Sequence, residues 1–352
     1  MKGTEPDQNP DATGRVVWHY TCGGRVDTPP TIYRGLALFG SADGWVYALR
    51  ADDGELVWRF RAAPEDRRTF VNGQLESIWP VHGSVLVEED KVLVAAGRSS
   101  YLDGGIRLCA LKPDTGELLT ETVVYSPDPR TDKQPADENI RDVRGLLSDI
   151  LLADGGDVYM RHVKLDFDTG SDTGKGVHLF SPIGLLDDTW WHRGYWVFND
   201  EFIAHWSGWW KIGNSAPAGR ILAYNEGSIF GYGRDKYVGG NTGQWRGGEK
   251  YQIFACDRPS AEGIPQPVQP KPAPGSGKQR RRAPALPPRE NRWAKEVPFY
   301  VRALVVAGDT MFIAGPPELT EAKAVEGEEA LVLARPEEAL SAWRGERGGR
   351  LW

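Results

Sequence analysis

A β-rich repeat along the chain constrains the fold more than any other feature of the sequence. The segment ALRADDGE at residues 48–55 returns as ALKPDTGE at residues 110–117. Around these matches, two alternating apolar runs with a short polar turn between them recur five times. The five instances are residues 31–40, 84–97, 149–161, 220–233 and 303–315. Period-two alternation on both sides of a short polar turn predicts a series of antiparallel hairpins.

A third apolar run follows most of these hairpins. The third runs are residues 43–50, 104–112, 175–182 and 249–257. A fourth run, ELVWRF (55–60), closes the first repeat, and a looser one, ELLTETVV (117–124), closes the second. Four short strands per repeat predict the blade of a β-propeller, because a solenoid requires shorter and more even periods. We therefore expect an all-β fold, a β-propeller with about five visible four-stranded blades.

Two irregular segments interrupt the repeats. Residues 258–290 are rich in Pro, Gly, Lys and Arg and cannot bury a core, which predicts a flexible loop between the fourth and fifth blades. Residues 316–349 are rich in Ala, Glu and Leu, which predicts one or two short helices inside the last blade.

The two ends of the sequence indicate an incomplete set of blades. RVVWHY (15–20) has the pattern of a closing strand, and GGRLW (348–352) has that of the start of a third strand. We therefore expect part of a seven- or eight-bladed ring, or else a fifth blade that RVVWHY closes. The expected segments are a disordered tail (1–14), blades (15–257), the flexible loop (258–290) and a truncated last blade (291–352).

Charge and cysteine spacing exclude several classes of function. The net charge of −7 gives no reason to expect nucleic acid or an acidic membrane as a partner. No apolar run approaches the ~18 residues of a membrane span. Three widely separated cysteines show no disulfide framework, haem attachment or zinc motif. The six histidines lack metal-site spacing, so we predict no catalytic and no metal residues.

The stretch GSADGWVYALRADDGELVWRF at residues 40–60 resembles the repeat of the quinoprotein-like (PQQ-like) β-propeller family. In that family a Gly-Ser-x-Asp-Gly turn precedes a strand ending in Tyr-Ala-Leu, and a Gly-Glu turn leads to an outer strand with a tryptophan. The residues at these positions are Gly40, Ser41, Asp43, Gly44, Tyr47, Ala48, Leu49, Asp53, Gly54, Glu55 and Trp58, with Ala110, Leu111 and Gly116 in the second repeat. Over residues 149–343 only the strand pattern persists.

The resemblance implies that the outer-strand tryptophan packs on the neighbouring blade. Trp58 and Trp18 fit that role, whereas Trp293 and Trp343 match it less closely. The second repeat has no tryptophan at the matching place, which predicts looser packing there.

The family implies two kinds of function, and a shared fold does not choose between them. Some members are dehydrogenases that use PQQ with Ca²⁺, and several of these carry an adjacent Cys-Cys pair. Others keep the scaffold without a cofactor. This sequence has no Cys-Cys pair, so we expect a non-catalytic binding or scaffold module without a cofactor and with a protein partner. A PQQ-dependent oxidoreductase is the alternative. The resemblance also implies a periplasmic or other extracytoplasmic location for the intact protein.

A tryptophan-rich segment at residues 187–210 is the strongest candidate for a ligand-facing surface. It contains six of the 14 tryptophans together with basic side chains. Its candidate residues are Trp190, Trp191, His192, Arg193, Trp206, Trp209 and Trp210. Exposed tryptophans can stack on sugars, which makes a carbohydrate-binding propeller a further alternative. The simpler interpretation is that these rings fill the space between the third and fourth blades.

Overall fold

The computed structural model describes the chain in segments that fall into two compact units. The described residues are 16–71, 73–128, 130–133, 145–170, 176–181, 196–200, 213–235, 251–259, 289–308, 310–325, 328–333 and 335–352. Unit 1 comprises Met1–Tyr125 and Phe167–Gly170, and unit 2 comprises Ser126–Asp166 and Ser171–Trp352. The expected tail (1–14) lies outside the described residues.

Unit 1 contains two four-stranded antiparallel sheets and a separate hairpin. Its strands are β1 (Thr31–Tyr33), β2 (Leu36–Gly40), β3 (Trp45–Arg50), β4 (Leu56–Arg61), β5 (Arg68–Val71), β6 (Gln74–Ser77), β7 (Leu86–Glu88), β8 (Lys91–Ala96), β9 (Ile106–Leu111) and β10 (Leu118–Val124). The first sheet has the order β1-β2-β3-β4 and the second has the order β7-β8-β9-β10. Arg34 and Gly35 both adopt positive φ angles between β1 and β2, as a tight hairpin turn requires.

Apolar side chains on the facing sides of these two sheets form one core. The first sheet contributes Leu38, Val46, Ala48 and Trp58, and the second contributes Val92, Val94, Ala96, Cys109 and Leu111. Alternation along each strand directs these side chains to one side, which is why the period-two pattern predicted the sheets.

The side chain of Trp58, on β4, lies on a turn of the second sheet. Its indole Nε1–H donates a hydrogen bond to the carbonyl oxygen of Pro113 at 2.7 Å. A Cβ on Gly116 would lie 2.6 Å from Cε3 of the ring, and Gly116 has a φ of +68°. Glycine is therefore required at this position both by the close approach of the ring and by the backbone conformation.

Trp18 makes the same contact with the corresponding turn of the first sheet. Its Nε1–H donates to the carbonyl oxygen of Ala51 at 2.8 Å. A Cβ on Gly54 would lie 2.5 Å from Cε3 of that ring. In both cases the accepting carbonyl precedes the glycine by three residues, so one local geometry is used twice.

Thr120 occupies the position of the docked tryptophan in the second sheet. It pairs with Ala110 as Trp58 pairs with Ala48. Its hydroxyl donates to the carbonyl oxygen of Phe167 at 3.4 Å. Phe167 precedes Gly170 by three residues, so the smaller side chain reaches the equivalent carbonyl with a longer contact.

The described residues of unit 2 form four sheets, a hairpin and a helix. Its elements are β11 (Leu151–Asp154), β12 (Asp157–Met160), β13 (Val163–Leu165), β14 (His178–Phe180), β15 (Trp196–Asn199), β16 (Ala218–Gly219), β17 (Ile221–Tyr224), β18 (Ser228–Arg234), β19 (Tyr251–Asp257), β20 (Trp293–Glu296), β21 (Ala303–Ala307), β22 (Thr310–Gly315), β23 (Thr320–Val325), β24 (Glu328–Leu333), α1 (Pro336–Trp343) and β25 (Arg350–Leu351). The sheets have the orders β11-β12-β13, β14-β15-β16, β17-β18-β19-β20 and β21-β22-β25.

The all-β class and the series of antiparallel sheets expected from the sequence are confirmed, and all five predicted hairpins are present. The number of sheets was underestimated, because residues 175–182 are not the third strand of the third repeat. That strand is β13, which pairs with β12 across a two-residue turn (Met160 with Val163). The three-residue strand is too short to show a clear alternation. Strand β14 instead begins a separate sheet with β15.

The prediction for the segment 258–290 was wrong in its position. Trp293 pairs with Ala255, so β20 closes the same sheet as β19. The insertion therefore separates two strands of one sheet rather than two blades, and the last sheet begins at β21. Pairing between β19 and β20 is set by backbone hydrogen bonds such as Arg292 N–H to Ala255 C=O at 2.8 Å, which composition does not reveal. Residues 260–288 lie outside the described part.

Within the insertion at 316–349, the described residues form one helix and one hairpin. Helix α1 begins at Pro336 and has acidic residues in its first turn, both of which favour a helix N-terminus. Strands β23 and β24 pair where helix was also expected, because inter-strand pairing outweighs the helix propensity of Ala and Glu. The predicted third strand in GGRLW is present as β25, paired with β22.

The remaining expectations about tryptophans and the N-terminal run have mixed outcomes. Residues 16–20 of RVVWHY form no strand, although Trp18 is docked as described above. Trp293 is half-exposed on β20. Trp343 is exposed at the end of α1, with the guanidinium of Arg302 4.4 Å from its ring centroid.

We predict that Trp58→Ala lowers the free energy of unfolding by ~3–5 kcal/mol, because it leaves a cavity and an unpaired carbonyl between two sheets. Val57→Ala is the matched control, since Val57 is exposed on the same strand and should change stability by less than ~0.5 kcal/mol. Urea unfolding followed by circular dichroism measures both. Equal losses in the two variants would contradict the structural role of Trp58.

Candidate binding surface on the β5–β6 hairpin

The β5–β6 hairpin presents an apolar pair to solvent. Phe70 and Leu75 are directly opposite each other on the two strands. Their exposed fractions are 76% and 48%, although both are large apolar side chains. Arg68, two residues before Phe70 and therefore on the same side of β5, is also exposed. The outward side of the hairpin thus combines an aromatic, an aliphatic and a cationic side chain.

The inward side of the hairpin carries a buried carboxylate. Glu76 pairs with Thr69 across the hairpin and is 1% exposed. Its carboxylate oxygens lie 3.1 Å from Arg25 Nη1 and 3.1 Å from Arg98 Nη2. Arg98 Nη2 also donates to the carbonyl oxygen of Ser77 at 3.1 Å. Two guanidinium groups therefore fix the base of β6.

His82 and Asp27 extend this ion network. The buried ring of His82 places Nδ1 2.6 Å from Asp27 Oδ2 and Nε2 3.9 Å from Glu76 Oε2. Arg25 also donates to Asp27 through Nε. Burial alone would raise the pKa of Asp27, but the hydrogen bonds from His82 and Arg25 outweigh it and hold that pKa below 3.8. Asp27 is therefore ionised at neutral pH, and His82 lies between two carboxylates.

The turn at residues 40–44 of the first sheet contacts the last residue of β6. Ser77 N–H donates to the carbonyl oxygen of Ala42 at 2.8 Å. Gly44 has a φ of +86°, and a Cβ there would lie 2.9 Å from Ser77 Oγ. Asp43 accepts hydrogen bonds from Trp45 N–H at 3.0 Å and from Tyr47 OH at 2.7 Å. The Gly-Ser-x-Asp-Gly turn therefore both reverses the chain and positions Ser77 at the end of β6.

Six other predicted repeat residues stabilise the sheets from buried or half-buried positions. Ala48, Leu49, Ala110 and Leu111 are buried in β3 and β9. Gly54 and Gly116 lie under the rings of Trp18 and Trp58, as described above.

The seven predicted ligand-facing residues lie outside the described part of the chain, so the prediction for them stays a prediction. They are Trp190, Trp191, His192, Arg193, Trp206, Trp209 and Trp210. The β5–β6 hairpin was missed from the sequence, although a signal was present. Asn-Gly at residues 72–73 between alternating residues is a strong hairpin signal. No local sequence pattern predicts the burial of Glu76, because its partners Arg25 and Arg98 are distant in sequence.

The described residues show neither a metal cluster nor a membrane-spanning helix. No group of three or more His, Cys, Asp and Glu side chains within them could hold a metal ion. Among the same residues, none of the helices is long and apolar enough to span a bilayer. Burial raises the pKa of Cys109 to about 12 and that of Cys256 to about 11, so these two thiols stay protonated.

A family model matches the N-terminal part of the chain. A family model described as outer membrane protein assembly factor BamB matches residues 10–178, just under half of the chain. This match includes both sheets of unit 1 and the hairpin, and it confirms the PQQ-like propeller repeat recognised in the sequence. No curated protein matches the chain.

Several solved structures resemble the chain at low identity. BamB from Moraxella catarrhalis is 12% identical with a TM-score of 0.36, and the match covers 85% of each chain. A europium-containing methanol dehydrogenase is 15% identical with a TM-score of 0.26, over 90% of this chain and 41% of that one. A quinohemoprotein alcohol dehydrogenase from Comamonas testosteroni is 12% identical with a TM-score of 0.32, over 88% and 42%. The chain therefore spans less than half the length of these two dehydrogenases.

We predict that Glu76→Ala lowers the free energy of unfolding by ~1–3 kcal/mol, because it leaves the half-buried guanidinium groups of Arg25 and Arg98 without the buried carboxylate that pairs with them. Asp66→Ala is the matched control. It breaks the exposed pair of Asp66 with Arg68, at 3.0 Å, and should cost less than ~1 kcal/mol. Chemical denaturation at neutral pH compares the two. A loss for Glu76→Ala no larger than that of the control would show that the network does not fix the hairpin.

Proposed function

We propose that this chain, whose residues 10–178 carry the PQQ-like β-propeller repeat, is a non-catalytic binding module that holds a protein partner on the outward side of the β5–β6 hairpin. The observation that carries the proposal is the exposed Phe70–Leu75 pair on a hairpin whose base is tied down by buried charges.

The composition of this surface suits a protein partner. Aromatic side chains and arginine are enriched at the centres of protein interfaces, and here Phe70 and Arg68 stand side by side on β5. Single exposed apolar residues are common on any protein and require no explanation. A cross-strand pair of them on a supported hairpin is a small preformed surface, and preformed surfaces lose little conformational entropy on binding.

The ion network supports the same interpretation. Buried ion pairs contribute little net stability compared with apolar side chains of equal volume, because removing charges from water is costly. Glu76 and its two arginine partners are therefore explained poorly by stability alone. They do fix the position of β6, and so they fix the direction in which Leu75 and its partner Phe70 point.

The family description is consistent with a module that works by binding proteins. The matching family model is named for an outer membrane protein assembly factor, and we extend from that name only the use of a propeller-type scaffold to hold a partner. An extracytoplasmic location and action without a cofactor are part of the proposal.

We predict that a photo-crosslinking amino acid at position 70 or 75 yields one discrete crosslinked product in the cells that produce the protein. Position 57 is the matched control, since Val57 is 48% exposed on β4, away from the hairpin, and should yield no such product. With the partner identified and purified, the double variant Phe70→Ser, Leu75→Ser should weaken binding ~10–100-fold, because it removes the apolar centre of the interface.

Three results would contradict the proposal. The first is equal crosslinking from positions 70 and 57. The second is unchanged affinity of the double variant when its thermal unfolding curve is also unchanged. The third is a stoichiometric complex of the purified chain with PQQ in the presence of Ca²⁺, which would favour the oxidoreductase alternative.

A further inference from the structure

A second surface, in unit 2, combines tyrosine rings with an arginine. Tyr232 on β18 and Tyr251 on β19 have ring centroids 5.2 Å apart. Tyr300, which precedes β21, meets Tyr232 edge-to-face at 5.9 Å. The guanidinium carbon of Arg220 lies 5.2 Å from the centroid of the Tyr300 ring. These four residues, which we call the tyrosine–arginine cluster, join the β17–β20 sheet to the segment that enters the next sheet.

The backbone positions of this cluster are fixed by close contacts. Arg220 N–H donates to the carbonyl oxygen of Tyr232 at 2.8 Å, and a Cβ on Gly219 would lie 2.5 Å from that same oxygen. Tyr300 N–H donates to the carbonyl oxygen of Pro316 at 2.9 Å. A Cβ on Gly315 would lie 1.8 Å from the carbonyl oxygen of Tyr300. Only glycine allows these approaches, which fix the backbone positions of Arg220, Tyr232 and Tyr300.

Arg220 is exposed and carries a positive charge. The hydroxyl of Tyr251 accepts a hydrogen bond from it, and the carboxylate of Glu318 lies within electrostatic range of Tyr232 and Tyr300. No ion pair within the described part of the chain includes Arg220. Its neighbours Tyr251 and Tyr300 are half-buried. Burial raises the pKa of Tyr300, so its hydroxyl remains a hydrogen-bond donor at neutral pH.

Tyr232 adds an unusual buried hydroxyl to the cluster. Its side chain is fully buried, and its hydroxyl makes no hydrogen bond of normal geometry, although the backbone of Val301 is nearby. An unsatisfied buried hydroxyl costs free energy and is rare in folded proteins. Because this hydroxyl is fully buried, a ligand would reach only the half-buried hydroxyls of Tyr251 and Tyr300.

We infer that the tyrosine–arginine cluster binds a carboxylate side chain in an acidic segment of a partner polypeptide. A guanidinium group presents paired N–H donors that match the two oxygens of a carboxylate. The adjacent aromatic rings lower the local polarity and strengthen that attraction, and the tyrosine hydroxyls can donate further hydrogen bonds.

Charge and exposure identify the class of ligand. One exposed guanidinium balances a single negative charge, and the nearby carboxylate of Glu318 disfavours a second one. A phosphate monoester carries about −1.5 to −2 at neutral pH. The two flanking arginines are engaged elsewhere. Arg234 is buried with its guanidinium 5.6 Å from the Tyr251 centroid, and Arg302 stacks on Trp343. A free organic acid would be poorly enclosed at an exposed arginine, whereas a peptide adds contacts on either side.

The test uses the full chain and two fluorescein-labelled peptides, one of alternating Glu and Gly and one of alternating Gln and Gly. Fluorescence anisotropy should show saturable binding of the Glu peptide that weakens as salt is added. Arg220→Gln should weaken it at least ~10-fold, as expected for loss of a charge-assisted hydrogen-bonded pair. Arg220→Lys should restore part of the affinity, and Tyr300→Phe should lower it several-fold.

Arg59 provides a matched control in unit 1. It is an exposed arginine whose guanidinium carbon lies 4.7 Å from the centroid of the Trp45 ring, much as Arg220 lies on Tyr300. Arg59→Gln should leave binding of the Glu peptide unchanged. Thermal unfolding of each variant shows whether it is folded. If the Arg220→Gln variant is unfolded, Tyr300→Phe provides an independent test of the site.

Three outcomes would overturn the inference. The first is equal binding of the Gln peptide, and the second is an equal loss of affinity from Arg59→Gln. The third is displacement of the Glu peptide by free glutarate at concentrations similar to that of the peptide, which would assign the site to a small carboxylate. None of these outcomes bears on the β5–β6 hairpin, which lies in the other unit.

Discussion

The hydrogen bond from an indole N–H to a turn carbonyl, with glycine beneath the ring, is the contact on which the arrangement of unit 1 depends. Trp18 makes it to the turn ending at Gly54, and Trp58 makes it to the turn ending at Gly116. The indole ring buries apolar surface, which is favourable, and its N–H forms a hydrogen bond, which fixes the orientation of the ring. Where threonine replaces the tryptophan, the Thr120 hydroxyl donates to the equivalent carbonyl of the next turn, that of Phe167.

Because the two sheets of unit 1 are held in place, the β5–β6 hairpin can present its exposed side in a defined position. The turn at Ala42–Gly44 is held by the first sheet, and this turn supports β6 through the carbonyl of Ala42 and through the close approach of Ser77 that Gly44 allows. The buried carboxylate of Glu76 and its two arginine partners complete the support. Arg220 in unit 2 follows the same logic, because a glycine beside it allows the backbones to approach closely and fixes the backbone position of an exposed arginine. In both units, backbone packing positions a side chain that faces solvent.

The sequence was informative wherever a local pattern determines the structure. Alternation predicted the hairpins, and the repeat placed β3, β4, β9 and β10 correctly, because strand direction and turn geometry are local properties. It was uninformative where pairing is non-local, as for β20, which joins β19 across a long insertion. The candidate surface was only partly predictable. Asn-Gly at residues 72–73 indicates a hairpin, but the burial of Glu76 depends on Arg25 and Arg98, which are far away in sequence.

Hydrogen exchange at the indole nitrogen of Trp58 tests the central contact most directly. The Nε1–H of Trp58 is bonded to Pro113 in a ring that is 8% exposed, whereas Trp293 is 42% exposed. NMR with Trp58→Phe for assignment should find that the Trp58 indole proton exchanges as slowly as the central amides of β9 and far more slowly than that of Trp293. Exchange of the Trp58 proton at the rate of Trp293 would show that the two sheets are not held together by this contact.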